Sequence, residues 1–390
     1  MLRSLALRFP SAAVCPVRVP IRLPRGPLGM RAYSADQSTG PGIARSASEV
    51  ATRAVCLQLV MARWGMEMAL KMGHGDEETK TKALENIAKT SEEPIIAQNL
   101  SAKEHELMAK EDGQWDRDDL QCHGHWESLG VLLWMLTNKV DLPPYYEMFS
   151  RPLLFNTTGV LPAVPKTIHD FVGNAQHSHA RRTPAEVQRA IDIAEAWYWR
   201  AHAQRLLTTR EELGLDRADH GPSGSGNQSS SQDSFLQASP TMVQAADVAK
   251  LPRGFVKLLR GLPDAISRAS RLAHEHKLIE AVAEDDFGID SNALYVNLGV
   301  NKNIPLNDDG SPMEYPVNWI PYHRVDASGM YLLTDIAQHR MLAFNWLTGT
   351  VQDWDADLTE LPSINPVSSL WAPFTEAARE DAKDDGSDRT

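Results

Sequence analysis

Cys122, His123, His125 and Glu127 form the densest set of potential metal ligands in the chain, and an H-x-H pair can hold zinc from an extended backbone. A zinc site needs a third or fourth ligand, which spacing alone does not fix. His177 and His179 could supply it from across the fold, but 13 histidines in 390 residues also generate such pairs, and His274-Glu275-His276, without design. His123 and His125 therefore stand as weak metal candidates beside an expected role at a helix N-terminus, and no metal or other cofactor is assigned. Asp353, Asp355 and Asp357 alternate like the start of a calcium loop. Leu358 takes the place of the required glycine and Ile364 that of the closing glutamate, which excludes an EF-hand. Residues 221–226 lack the register of a hydrolase elbow, and the chain has no glycine-rich nucleotide loop.

Ten tryptophans suggest a different chemistry, because several adjoin polar groups: Trp126-Glu127, Trp199-Arg200, Asn345-Trp346 and Asp353-Trp354-Asp355. A pocket lined by Trp126, Trp199 and Trp346 would raise the pKa of a carboxylate held among its rings. Glu127, His202 and Asp353 are then candidate acid-base groups, with Arg200, Asn345 and Asp355 orienting a ligand. Helical spacing supplies a plainer account, in which tryptophan fills interhelical space and its indole N–H meets a nearby acid.

The elements that must position these residues read as helices. Val50, Ala54, Leu57, Met61, Trp64 and Met68 recur at spacings of three and four, predicting a helix over 49–72 that Gly73 and Gly75 stop. Ser101-x-x-Glu104 is a capping box for a short helix starting at Ala102 and ending near Asp112-Gly113. Trp126, Leu129, Leu133 and Leu136 mark the most apolar helix, expected at the centre of the core, with Pro143-Pro144 beyond it. Thr183-Pro184-x-Glu186 opens another helix, running toward Leu213-Gly214. Further helices are expected over 263–283 and 335–347, the latter capped by Gly349, with a short strand over 293–300 and a turn at Asn307-Gly310. The reading is mainly α: one irregular helical domain over 49–357 with at most a few short strands. It carries a flexible insertion at 220–240 and a C-terminal extension over 358–390, expected to be disordered after about 375.

Residues 1–33 carry six arginines and no acid, and Leu2, Leu5 and Phe9 share one helical face. That composition reads as a mitochondrial presequence, since an inside-negative potential draws cations inward. Arg8, Pro10 and Pro16 break any run long enough for a secretory signal; a disordered Arg/Pro-rich tail is the plainer alternative. Arg31-Ala32-Tyr33-Ser34 fits processing between Tyr33 and Ser34, followed by a linker over 34–48. Removing six arginines from a net charge of -12 leaves -18 on the mature chain, against binding to nucleic acid or anionic lipid by bulk charge. The apolar run Val131–Leu136 is far shorter than the roughly 20 residues of a spanning helix, so no transmembrane segment is expected. Cys56 and Cys122, the two cysteines outside the leader, offer no disulfide framework.

Glu127-Ser-Leu-Gly-Val-Leu-Leu-Trp-Met-Leu136 followed by Val140-Asp-Leu-Pro143 resembles the domain of unknown function numbered 4272, a mostly bacterial family. His339-Arg-Met-Leu-Ala-Phe-Asn-Trp-Leu-Thr-Gly349 with Asp353-Trp-Asp355 resembles that family's closing segment, and Ala190–Glu195 with Trp199-Arg200-Ala-His202 its middle helix. His125 stands where bacterial members usually have arginine, and Ser223–Ser234 is an insertion. The resemblance implies one helical domain and no established activity. Its recurring polar positions fall on Glu127, Arg200, His202, Asn345, Asp353 and Asp355. The expectation is a soluble mitochondrial matrix protein that binds a protein partner, as an adaptor or assembly factor; the rival is an enzyme built on the tryptophan-lined pocket.

Overall fold

The computed structural model describes residues 42–176, 182–215, 253–275 and 327–364, with residues 251, 278, 295–296, 320–322 and 325. The leader, His177, His179, the 220–240 insertion, the His274 side chain, His276, the Asn307-Gly310 turn and the tail beyond Ile364 lie outside them.

The chain is mainly α. Helix α1 (Ala47–Lys71) opens with a capping box between Ser46 and Glu49, which satisfies amides that the first turn leaves open. Helix α2 (Glu77–Ser91) starts at an Asp76 cap and buries Lys80, Leu84 and Ile87 at helical spacing. One short turn, α3 (Pro94–Ala97), precedes α4 (Ala102–Ala109), which begins at the predicted Ser101–Glu104 capping box. A 3-10 segment over Asp119–Gly124 runs directly into α5 (His125–Leu136). Helices α6 (Arg151–Thr158) and α7 (Pro165–Gln176) follow the diproline, separated by Gly159 in the left-handed region at φ 62°. Helix α8 (Pro184–Glu212) starts at its predicted Thr183–Glu186 box. The remaining helices are α9 (Arg253–Glu275) and α10 (Ala327–Thr348), and strands β1 (Tyr295–Val296) and β2 (Ile320–Pro321) pair antiparallel with Tyr295 opposite Pro321.

Three boundaries differ from the sequence reading. Helix α9 begins ten residues before Pro263 and runs through it, because Leu259, Leu262, Ile266, Ala269 and Ala273 make one buried stripe against α8. That packing offsets an interior proline cost of about 3 kcal/mol. Helix α10 starts at Ala327 rather than Asp335, adding two turns that bury Leu333. Packing also continues past Asp357: the Tyr198 hydroxyl accepts from the Leu361 amide and donates to the Leu358 carbonyl, and Leu361 and Ile364 are buried.

Helix α5 is packed between α1 and α10, and α10 lies in turn against α8. Leu129, Val131, Leu132 and Leu133 of α5 are fully buried, each worth roughly 1.5–3 kcal/mol relative to exposure. One core cluster joins residues from Val50 to Ile364. Gly130 lets the Phe149 ring lie directly on α5, since a Cβ there would overlap that ring. We predict that Gly130→Ala destabilises the fold by about 1–3 kcal/mol by overpacking, despite alanine's better helix propensity. Urea unfolding of the single variant and of its combination with Phe149→Leu measures this. The methyl should be better tolerated once the ring is gone, and equal costs in both backgrounds would refute the contact.

Candidate functional site

The polar residues of the sequence motifs divide among separate structural tasks. Glu127, 2% exposed, faces Arg340, 0% exposed, across the α5–α10 contact. The Glu127 Oε2 accepts from Arg340 Nε at 2.8 Å and lies 2.8 Å from Nη2. Arg340 Nη1 donates to the carbonyls of Pro143 (2.7 Å) and Pro144 (3.4 Å), and Nη2 donates to that of Glu147 (2.7 Å). The second carboxylate oxygen of Glu127 accepts from the Phe149 amide at 3.1 Å. Tyr145 and Phe149 cover the guanidinium, with ring centroids 4.6 and 4.9 Å away. Glu127 therefore holds the loop after α5 in place.

Asp355 serves α4. It accepts from Ser101 Oγ at 2.6 Å and from the Lys103 amide at 3.0 Å, and its backbone carbonyl receives Lys103 Nζ. Asp353 closes its own turn onto the Asp355 amide, and Asp357 accepts from the Thr359 amide and hydroxyl, which hold its carboxyl below the usual range. Asn345 is buried and donates to the Met341 carbonyl of its own helix. Trp346 and Trp354 meet edge to face at 5.5 Å, with Arg45 over one ring and Arg53 over the other. Trp64 and Trp115 donate their indole N–H to the carbonyls of Leu120 and Leu107 rather than to acids.

Arg200 and His202 lie on α8, away from these groups. Arg200 is fully buried over the Tyr322 ring at 4.3 Å and donates from Nη1 to Gln204. Its Nε and Nη2 meet no acceptor among the described residues, and burial lowers its pKa to about 10. The His202 ring lies 4.4 Å from that of Tyr198, and burial lowers its pKa to about 4. No hydrogen bond or ion pair among the described residues joins any two of Glu127, Arg200, His202, Asn345 and Asp353. Neither cavity described for the chain is lined by Trp126, Trp199 or Trp346.

A different set does converge. Asp335, on the part of α10 facing the 3-10 segment, lies 3.4 Å from His123 Nε2 and 3.5 Å from His339 Nε2. His125 meets His339 edge-on, with centroids 5.0 Å apart. Gly124 allows this approach, since a Cβ there would overlap the His339 ring and the Asp335 carboxylate. It stands at the N-cap of α5 without a side-chain cap, so the expected capping contact is replaced by packing against α10. Burial pushes Asp335 up to about 7, with the Glu127 charge adding to the rise. Burial also pushes His125 down to about 4 and His339 well below the ordinary 6.5. His123, likewise lowered by burial, forms part of the wall of a recess of about 330 Å³ with Trp64, Met68, Arg117, Leu120, Gln121 and Arg151.

Among the described residues no group of three or more His, Cys, Asp or Glu side chains is arranged to hold a metal ion, and none of the helices is long and apolar enough to cross a membrane. The sequence reading missed Arg340 and Asp335. Arg340 sits inside the quoted closing motif, and a charged residue within so apolar a helix is the signal that could have marked it.

Two predictions test this arrangement. Glu127→Gln leaves a buried guanidinium uncompensated and should cost about 3–5 kcal/mol in urea unfolding; a loss below 1 kcal/mol would remove the pair's structural role. The second concerns pH. The unfolded chain protonates its histidines near 6.5 whereas folded His125 and His202 resist to about 4, so stability rises with pH across that window. Asp335 acts oppositely: its contribution is complete below 3.8 and is lost as pH rises through about 7. Asp335→Asn should therefore steepen the gain in stability between roughly pH 4 and 6.5, and an unchanged slope would show that Asp335 is ionised in the fold. No family model, curated protein or solved structure matches this chain.

Proposed function

We propose that the chain is a soluble mitochondrial matrix protein of the family numbered 4272, and that it works by binding a protein partner rather than by catalysis at its motif residues. One observation carries this reading: four of the six polar groups that recur in the motifs, Glu127, Asn345, Asp353 and Asp355, are used to hold helices and turns together. Glu127 is committed to Arg340 and Phe149, Asp355 to Ser101 and Lys103, and Asp353 and Asn345 to their own segments. A general acid must instead reach a substrate proton. The six arginines of the acid-free leader support the location, and the charge of -18 left after its removal supports solubility.

The test is expression of the full chain with a C-terminal tag, followed by cell fractionation and purification from isolated mitochondria. The expected product lies in the matrix, begins at Ser34 and brings down a partner protein in near-stoichiometric amount. A tagged chain that stays cytosolic overturns the location, and recovery of no partner above background overturns the binding role.

A further inference from the structure

Four arginines are buried among the described residues: Arg53, Arg63, Arg200 and Arg340. Three of them pair with a carboxylate, Arg53 with Glu104, Arg63 with Glu67 and Arg340 with Glu127. Arg200, 0% exposed on α8, pairs with none among the described residues. Its Nη1 donates to the neutral amide of Gln204 at 2.9 Å, while Nε and Nη2 meet no acceptor. Those two nitrogens form one edge of the guanidinium fork. Arg340 turns the same edge to Glu127, with Nε and Nη2 each 2.8 Å from Oε2.

The surroundings of Arg200 do not balance its charge. The Tyr322 ring lies 4.3 Å from the guanidinium, and burial raises its phenol to about 12, so the tyrosine is neutral at pH 7 while Arg200, lowered to about 10, stays cationic. Among the described residues only Tyr322 acts on the Arg200 charge, and the charges acting on Tyr322 are Arg200 and the exposed Arg205. The acids of the packed helices have other places. On α8, Glu186 caps the first turn, Asp192 accepts from Gln188, Glu195 accepts from Ser363 and the Ile364 amide, and Glu211 and Glu212 are exposed. Asp264 of α9 is exposed, and Asp335 of α10 faces His123 and His339. The buried Tyr322 hydroxyl also meets no partner among the described residues, which adds a donor on the ring that covers Arg200. A guanidinium does not shed its proton, and an uncompensated buried cation is costly.

We propose that Arg200 is the centre of a buried binding site for a small carboxylate, held on the Nε–Nη2 edge and covered by Tyr322, whose hydroxyl donates to it. Neither cavity described for the chain reaches Arg200, so the ligand has few atoms, as formate and acetate do. The site is independent of the protein partner proposed above, so either can fail without the other.

Equilibrium urea unfolding of the full chain tests the site, because a ligand bound by the folded state alone raises the midpoint with its concentration, whether or not some was carried through purification. Sodium formate and sodium acetate are the probes, with sodium chloride at equal ionic strength and acetamide as controls. The midpoint should rise with at least one carboxylate across ~1–30 mM, the weak end of specific affinity, and with neither control. Arg200→Met removes the charge and should abolish the rise, and Tyr322→Phe should weaken the apparent affinity by about tenfold. Lys82→Gln, at an exposed position of α2, should leave the response unchanged. Should Arg200→Met fail to fold by circular dichroism, Arg200→Lys decides, since it keeps the charge, loses the fork and should weaken the response by about tenfold. No rise with either carboxylate, an equal rise with chloride or acetamide, or an unchanged response in the folded Arg200 and Tyr322 variants overturns the proposal.

Discussion

The contact between Glu127 and Arg340 is the constraint on which the centre of this fold depends. Two nearly inaccessible charges are expensive to remove from water, and they persist because every donor of the guanidinium has an acceptor: one carboxylate and three backbone carbonyls. Two of those carbonyls belong to Pro143 and Pro144. Proline lacks an amide proton and cannot continue the helix, so the diproline ends helical pairing and turns acceptors toward α10. The remaining carboxylate oxygen takes the Phe149 amide, and the same phenylalanine presses its ring onto Gly130. One ion pair thus fixes the distance between α5 and α10 and the path of the loop that leaves α5.

The same solution recurs around α1. Arg53 pairs with Glu104 and donates to the Asn99 carbonyl, and the Glu104 carboxylate also closes the capping box of α4. Arg63 pairs with Glu67 at 2.8 Å and with Asp112, while Glu67 accepts from the Gly113 amide. In each case an arginine on a central helix fixes a connecting segment by its backbone or by a capping carboxylate. Buried pairs of this kind contribute little net stability against apolar substitutes, but losing one partner is costly. Their consequence is positional: the short helices α3 and α4, of four and eight residues, acquire a defined place.

The cluster of Asp335, His123, His125 and His339 differs in having no permanent charge to balance. Burial favours the neutral form of each group, raising the acid and lowering the imidazoles. At neutral pH the three imidazoles are therefore neutral and Asp335, with its carboxyl raised to about 7, is divided between its acid and ionised forms, which explains how three histidines sit close together without mutual repulsion. Of the three, His123 alone reaches the wall of the recess, where the lining turns cationic.

How much of this was legible depends on the range of the physics involved. Capping boxes at Ser101–Glu104 and Thr183–Glu186 and the apolar periodicity of α1 and α5 are local, and the sequence displays them within a few residues. Helices α2 and α7 escaped notice because each buries only a narrow stripe, Leu84 and Ile87 in one and Ile168, Val172 and Ala175 in the other, within polar surroundings. The fates of Glu127 and Asp355 were not local. Glu127 and Arg340 are 213 positions apart, and Ser101 and Asp355 are 254 apart. A glutamate beside tryptophan on an apolar helix reads equally as a general acid or as half of an ion pair, because both need the same burial. Only the partner's identity separates the two, and that is a property of the packing between helices.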